Sequence, residues 1–123
     1  MILGTGTDII EVARVKKAIE NVSLKEKAFS KREIEYCDKD KSCQSFAVRA
    51  AGKEAFFKAL GTGWRDKMNI NEVEILNDEL GKPFIELSGE TLKLFEQKGG
   101  GLIHVSLSHI NETAIAFVII ETK

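Results

Sequence analysis

The chain has 123 residues, 43% of them hydrophobic, with 18 Lys+Arg against 19 Asp+Glu and a net charge of −1. That length suffices for a single domain over residues 1–123 with a real core, and the charge balance excludes a global basic field for nucleic acid. No apolar run approaches a membrane span, and the opening MILGTGTDII has no basic stretch ahead of its apolar residues, so neither membrane insertion nor a secretory signal is expected. Cys37 and Cys43 lie in a polar segment without metal-ligand spacing and are expected as reduced thiols of a cytoplasmic protein.

In chain order, Met1 to Gly6 has the pattern of a short strand, and a first helix is expected from about Ile10 to Asn21, with Val12, Val15 and Ile19 inward. Ser23 to Glu26 and Ser30 to Glu33 are both capping-box patterns, which predict two short helices before Cys37. The stretch from Ser45 to Gly63, SFAVRAAGKEAFFKALGTG, predicts a long helix closed by Gly61 and Gly63. Trp64 to Asn71 is expected to be irregular. Glu72 to Ile75 alternates as a strand, Asn77 to Gly81 carries turn chemistry, and Pro83 to Leu87 completes a hairpin. Ser88 is placed to cap a short helix through Gln97, with Leu92 and Phe95 inward. Two strands follow, one with Ile103, Val105 and Leu107 alternating with polar residues, the other the apolar Thr113 to Glu121. The order β-ααα-β-β-α-β-β is that of an α+β domain with a largely antiparallel sheet on a long central helix.

The central helix carries the first chemical signal. On a helical wheel Phe46, Ala47, Ala50, Ala51, Ala55 and Phe57 share one half, and Glu54 and Lys58 fall in its middle, four apart. One reading is a structural ion pair on a partly wet face; the other is a site, since charges are costly to bury and the small alanines leave room for a ligand. Gly61-Thr62-Gly63 adds a turn whose bare N–H groups could approach a phosphate, though this short pattern alone is weak. Asp8 is either a helix N-cap or an oxygen ligand for a hard divalent cation, with Glu54 as the second carboxylate. His104 and His109 bracket HVSLSH and are either hydrogen-bonded strand residues or part of a site; no nucleophile elbow accompanies them. Arg14, Lys16 and Lys17 make the first helix basic, which is either a solvated face or a dock for an acidic partner.

Three blocks together resemble the holo-acyl-carrier-protein synthases, small bacterial 4′-phosphopantetheinyl transferases. They are Gly4 to Val12 with Arg14, Arg49 to Gly63 with its core Lys53-Glu54-Ala55-x-x-Lys58, and His104 to His109. The Gly81-Lys82-Pro83 turn and the apolar last strand also agree, so the resemblance covers essentially the whole chain. Ala50, Gly52, Trp64, Arg65 and Thr113 depart from the residues most usual in that family.

The resemblance implies a Mg²⁺-dependent transfer of 4′-phosphopantetheine from coenzyme A to a serine of apo acyl carrier protein, releasing adenosine 3′,5′-bisphosphate, in fatty acid biosynthesis. It implies Asp8 and Glu54 as metal ligands, Glu54 and Lys58 as catalytic groups, and Lys53, Lys58, Gly61, Thr62, Gly63 and His109 as coenzyme A contacts. It also implies carrier docking on Arg14 and Lys17, and a cytoplasmic homotrimer with its sites between subunits. A hydrolase of coenzyme A or nucleotides and an inactive binding module on the same fold are the competing classes.

Overall fold

The computed structural model describes residues 1–63 and 69–123. The elements follow the expected order, but the first boundary moves. Strand β1 spans Ile2–Glu11 and helix α1 only Val12–Ala18. The alternating, β-branched run TGTDII stays extended because it pairs with the last strand from Ile2↔Glu121 through Glu11↔Thr113. Asp8 therefore lies within a strand and is not a helix N-cap. Helices α2 (Val22–Ala28) and α3 (Lys31–Cys37) follow. At α2 the cap is Asn21, whose side chain accepts from the Leu24 N–H, while Ser23 sits inside the helix. At α3 the Ser30–Glu33 box is present in both directions.

Helix α4 spans Gln44–Leu60 and ends on Gly61 in the left-handed region, φ 84°. Its first turn is served by Asp40, which accepts from the Ser45 N–H at 2.9 Å. A 3₁₀ turn over Ile70–Glu72 precedes β2 (Val73–Asn77), which pairs with β3 (Pro83–Leu87) as the expected hairpin. Of the segment expected to be irregular, Trp64 to Met68 lies outside the described residues, and so do the departures at Trp64 and Arg65. Helix α5 spans Gly89–Gln97. Ser88 makes no side-chain cap there; the Glu72 carboxylate accepts from the N–H groups of Glu90 and Thr91 and from the Thr91 hydroxyl instead. Strands β4 (Gly100–His109) and β5 (Thr113–Thr122) complete an antiparallel sheet of order β1-β5-β4.

Helix α4 is wrapped rather than amphipathic. One side packs on the sheet, where Ala51, Ala55, Phe56 and Ala59 meet Ala116, Val118 and Ile120. Another packs under α1 to α3, where Phe46, Ala47 and Val48 meet Val12, Val15 and Phe29. The alanines allow the close approach. A Cβ built on Gly4 would lie 1.9 Å from the Ala59 carbonyl oxygen, and one on Gly6 would lie 2.0 Å from that of Ala55. The obstacle is helix backbone, which cannot rotate away.

The outer face of the sheet carries Ile9, Ile115 and Phe117, at 67%, 43% and 44% exposed. Strand β5 is thus apolar on both faces, whereas a sheet with one wet face alternates apolar and polar residues.

Substituting Gly6→Ala should therefore lower the unfolding free energy by about 1–3 kcal/mol or more, the overpacking range. Urea midpoints measure it, and an unchanged midpoint would mean that β1 does not seat on α4.

Candidate active site

The contacts of β1 with α4 fix where Asp8 lies. Gly4 sits over Ala59 and Gly6 over Ala55, so two residues of strand match four of helix. Alternate residues of a strand face the same way, so Asp8 shares the face of Gly4 and Gly6. The same progression sets it level with the Ala51–Ala55 turn, the turn that carries Glu54.

Within α4 only Ala50, Glu54 and Lys58 are less than buried after Phe46, one stripe at i, i+4, i+8. The alanines expected to leave open space are not there. Ala47, Ala51 and Ala55 are fully buried against protein, and only Ala50 borders the stripe. The expected Glu54–Lys58 pair does not form either. A helical side chain leans toward the N-terminus, and Lys58 uses that lean to cross to the strand. Its Nζ donates to Asp8 Oδ1 at 3.0 Å and to the Thr7 carbonyl at 3.1 Å. Glu54 has no hydrogen bond or ion pair among the described residues, and its residue is partly exposed. Asp8 and Lys58 are thus joined across the strand–helix seam, with Glu54 one turn before Lys58 on the same stripe and, among the described residues, uncommitted.

Lys53, adjacent in sequence, lies about 100° away around the helix. It is fully buried, as is Glu33, and its Nζ donates to Glu33 Oε1 at 2.7 Å and to the Ala28 carbonyl at 2.9 Å. Glu33 also accepts from the N–H groups of Ser30 and Ile75. Burial pushes the Lys53 ammonium down, while the Glu33 carboxylate resists that shift. The expected coenzyme contact from Lys53 is therefore corrected. This amine pins α2, α3 and β2 to α4 and presents no group to a ligand. The sequence held a clue, the capping-box Glu33, but nothing in it distinguishes a second partner for that acid.

The Gly61–Gly63 turn also differs from expectation. The N–H groups of Gly61, Thr62 and Gly63 all point back to the Phe57 carbonyl, so they are not bare. The turn closes the helix. Among the described residues, a Cβ built at Gly61 or Gly63 would meet nothing within 4 Å.

His109 lies at the other edge of the sheet. Its register partner is Ala114 of β5, which in turn faces Ile10 of β1, two strand spacings away, or about 10 Å. A single chain therefore does not bring His109 to Asp8. Instead His109 borders a polar pocket of about 210 Å³ with Tyr36, Arg49, Asn77 and Pro83. The sequence reading passed over Arg49 as a site residue. It is buried, stacks 4.7 Å over the Tyr36 ring and donates to the Ile75 carbonyl and to Asn77. Its place just inside the helix block was the available signal. His104 is held by Glu121 at 3.2 Å, the strand-residue reading.

A second, apolar groove of about 280 Å³ runs along α1, bordered by Ile10, Arg14, Val15, Ile19, Leu24 and Phe29. Ala50, one turn from Glu54, also lines it. Arg14 is thus a cation at the lip of an apolar groove. Lys17 is exposed on the same short helix. Cys37 is a core thiol, pushed up to about 12 by burial, and is no nucleophile.

Residues 4–118 match the family model described as the 4′-phosphopantetheinyl transferase superfamily. The chain belongs to that superfamily. A holo-[acyl-carrier-protein] synthase of Treponema denticola is 47% identical over 123 residues, covering 98% of this chain and 99% of that protein. Among solved structures, the corresponding synthase of Neisseria meningitidis superposes with a TM-score of 0.90 at 31% identity, over 99% of this chain and 100% of that one. The Helicobacter pylori synthase in complex with coenzyme A has a TM-score of 0.83 at 31% identity, covering 95% and 99%. The chain is a transferase with the phosphopantetheinyl transferase fold, and the α+β reading of its sequence holds. No described helix is long and apolar enough to cross a membrane.

The buried pair yields a prediction. Lys53→Met alone strands a buried carboxylate and should cost about 3–5 kcal/mol of stability. Adding Glu33→Gln should restore most of that loss. Denaturant midpoints of the single and double variants measure it, and equal losses would contradict the pairing.

Proposed function

We propose that this transferase moves the 4′-phosphopantetheine arm of coenzyme A onto a serine of an apo acyl carrier protein, releases adenosine 3′,5′-bisphosphate, and serves fatty acid biosynthesis in the cytoplasm. The observation that carries the reading is Glu54, an acid left without a partner among the described residues and one turn from the Lys58 that pairs with Asp8. A structural stripe of charges would have satisfied Glu54 with Lys58, its i+4 neighbour.

Asp8 and Glu54 fit Mg²⁺: both offer hard oxygen donors, and Mg²⁺ shared with substrate phosphates usually takes one or two carboxylates. When bound, the ion would neutralise charge on the diphosphate. Lys58, half exposed on a long stem, reaches the same place and would hold a diphosphate oxygen as negative charge builds on the leaving bisphosphate. Glu54 would accept the proton of the carrier serine as its oxygen forms the new bond to phosphorus and the old phosphorus–oxygen bond breaks. The chemistry asked of the protein is mostly positioning and charge neutralisation, which a rigid helix with one wet stripe provides.

An acidic carrier would dock on α1 through Arg14 and Lys17. The groove beneath Arg14 gives that dock an apolar floor that Ala50, one turn from Glu54, also lines. Charges of this kind chiefly raise encounter rate and fix register.

The coenzyme's nucleotide end suits the pocket of His109 and Arg49, and the Gly61–Gly63 turn suits its diphosphate. His109 and Asp8 lie on opposite sheet edges of one chain, so a homotrimer with sites between subunits would let a neighbouring copy supply one of them. The apolar outer face formed by Ile9, Ile115 and Phe117 supports such an assembly, since a patch of this kind on a small domain commonly marks an interface.

Two outcomes test these claims. With coenzyme A, Mg²⁺ and apo carrier, Asp8→Asn and Glu54→Gln should each lower the rate of carrier mass gain by about a hundredfold or more. Bisphosphate release without carrier would make the protein a hydrolase, and no product at all would make it a binding module. For the assembly, Phe117→Lys should convert a trimer to a monomer in sedimentation velocity and abolish transfer; a monomeric unsubstituted protein would overturn the shared site.

A further inference from the structure

The Lys58 ammonium rests on two oxygens, the Asp8 carboxylate at 3.0 Å and the Thr7 backbone carbonyl at 3.1 Å. These are hard donors of the kind a divalent cation takes. Lys58 is held there lightly. Its side chain is 51% exposed, against 18% for Asp8, and it sits at the last turn of α4 on a flexible four-carbon stem. We propose that Lys58 is a resident competitor for the metal: it keeps Asp8 occupied until the coenzyme's diphosphate draws it off, so cation and coenzyme load together. The proposal rests on Asp8 and Glu54 being the metal's ligands.

The reasoning is one of shared oxygens. An ammonium and a dication on the same carboxylate repel across a few ångströms. A cation arriving alone must displace Lys58 and leave it without an anion, because Glu54 would itself be engaged by the cation. A coenzyme arriving alone gains Lys58 only by stripping Asp8 of its partner and leaving two acids facing a diphosphate. Arriving together, each ligand removes the other's penalty: the diphosphate takes Lys58, and the cation takes Asp8 and Glu54. By linkage, the factor by which coenzyme tightens the cation equals the factor by which the cation tightens coenzyme. Lys53 cannot substitute for Lys58 in this exchange, since it is locked to Glu33 in the core.

The test uses Mn²⁺ as a countable probe, with free Mn²⁺ read by electron paramagnetic resonance with and without coenzyme A. In the unsubstituted protein, coenzyme A should tighten Mn²⁺ by about threefold or more. In Lys58→Met, Mn²⁺ alone should bind about 1.5- to fivefold tighter, the span an exposed ion pair covers, and the gain from coenzyme should shrink. Unchanged Mn²⁺ affinity in Lys58→Met would overturn the proposal. Removing any nearby positive charge favours a cation, so a second readout is needed. In the ¹⁵N spectrum of lysine ammonium groups, Lys58 should lose its coupling to the Asp8 carboxyl on Mg²⁺ addition without coenzyme; a coupling that persists at saturating Mg²⁺ would overturn direct competition. Asp8→Asn separates the two levels of the argument. If it leaves Mn²⁺ binding intact, the metal assignment itself fails and the competitor falls with it.

Discussion

The approach of β1 to α4 is the constraint on which the rest of the molecule depends. Gly4 and Gly6 let the strand lie directly on helix carbonyls, closer than any side chain would allow. The helix answers with alanines at 51, 55 and 59. That contact fixes the register between strand and helix, and register decides which strand residue stands level with Glu54. Because the strand continues through Glu11 on its pairing with β5, Asp8 arrives as a rigid sheet residue rather than on a loop. A site built on packed elements holds its geometry without a ligand to organise it, which is what positioning chemistry requires.

Charge is distributed with the same economy. Lys53 and Glu54 are sequence neighbours with different fates: the first is enclosed with Glu33, the second is partly exposed and without a partner among the described residues. The buried pair costs desolvation and yields little net stability, yet it gathers four backbone groups, of Ala28, Ser30, Ile70 and Ile75, around one point. Its effect is to fix the α2–α3 segment and β2 against α4, leaving the stripe of Ala50, Glu54 and Lys58 as the face open to a substrate. The groove that Ala50 lines and the strand that carries Asp8 both border this stripe.

Much of this was legible in the residues. The element order followed from periodicity, and the Ser30–Glu33 cap and the hairpin at Asn77 to Gly81 from local chemistry; Asp8, Glu54 and Lys58 stood out as charges beside glycines and alanines, and the structure joins Asp8 to Lys58. What failed was tertiary. No local pattern tells that TGTDII continues as strand; its partner lies more than a hundred residues away. A wheel assumes one apolar face, but α4 is wrapped, so its alanines are contacts and not clearance. The glycine turn carries backbone donors on paper, and helix closure consumes them. Gly52 shows its setting only in the fold: a Cβ there would lie 2.4 Å from the end of the Ile75 side chain, which would have to shift. The open apolar face of β5 shows in its sequence as a strand with no polar alternation, while its occupant does not.

The most direct measurement of the central claim is anomalous diffraction from crystals grown with Mn²⁺ and coenzyme A. The account predicts one strong peak within about 2.3 Å of carboxylate oxygens from both Asp8 and Glu54, with the diphosphate completing the shell and Lys58 turned toward it. A peak bound to neither acid, or coenzyme seated with Glu54 turned away from its phosphates, would contradict it.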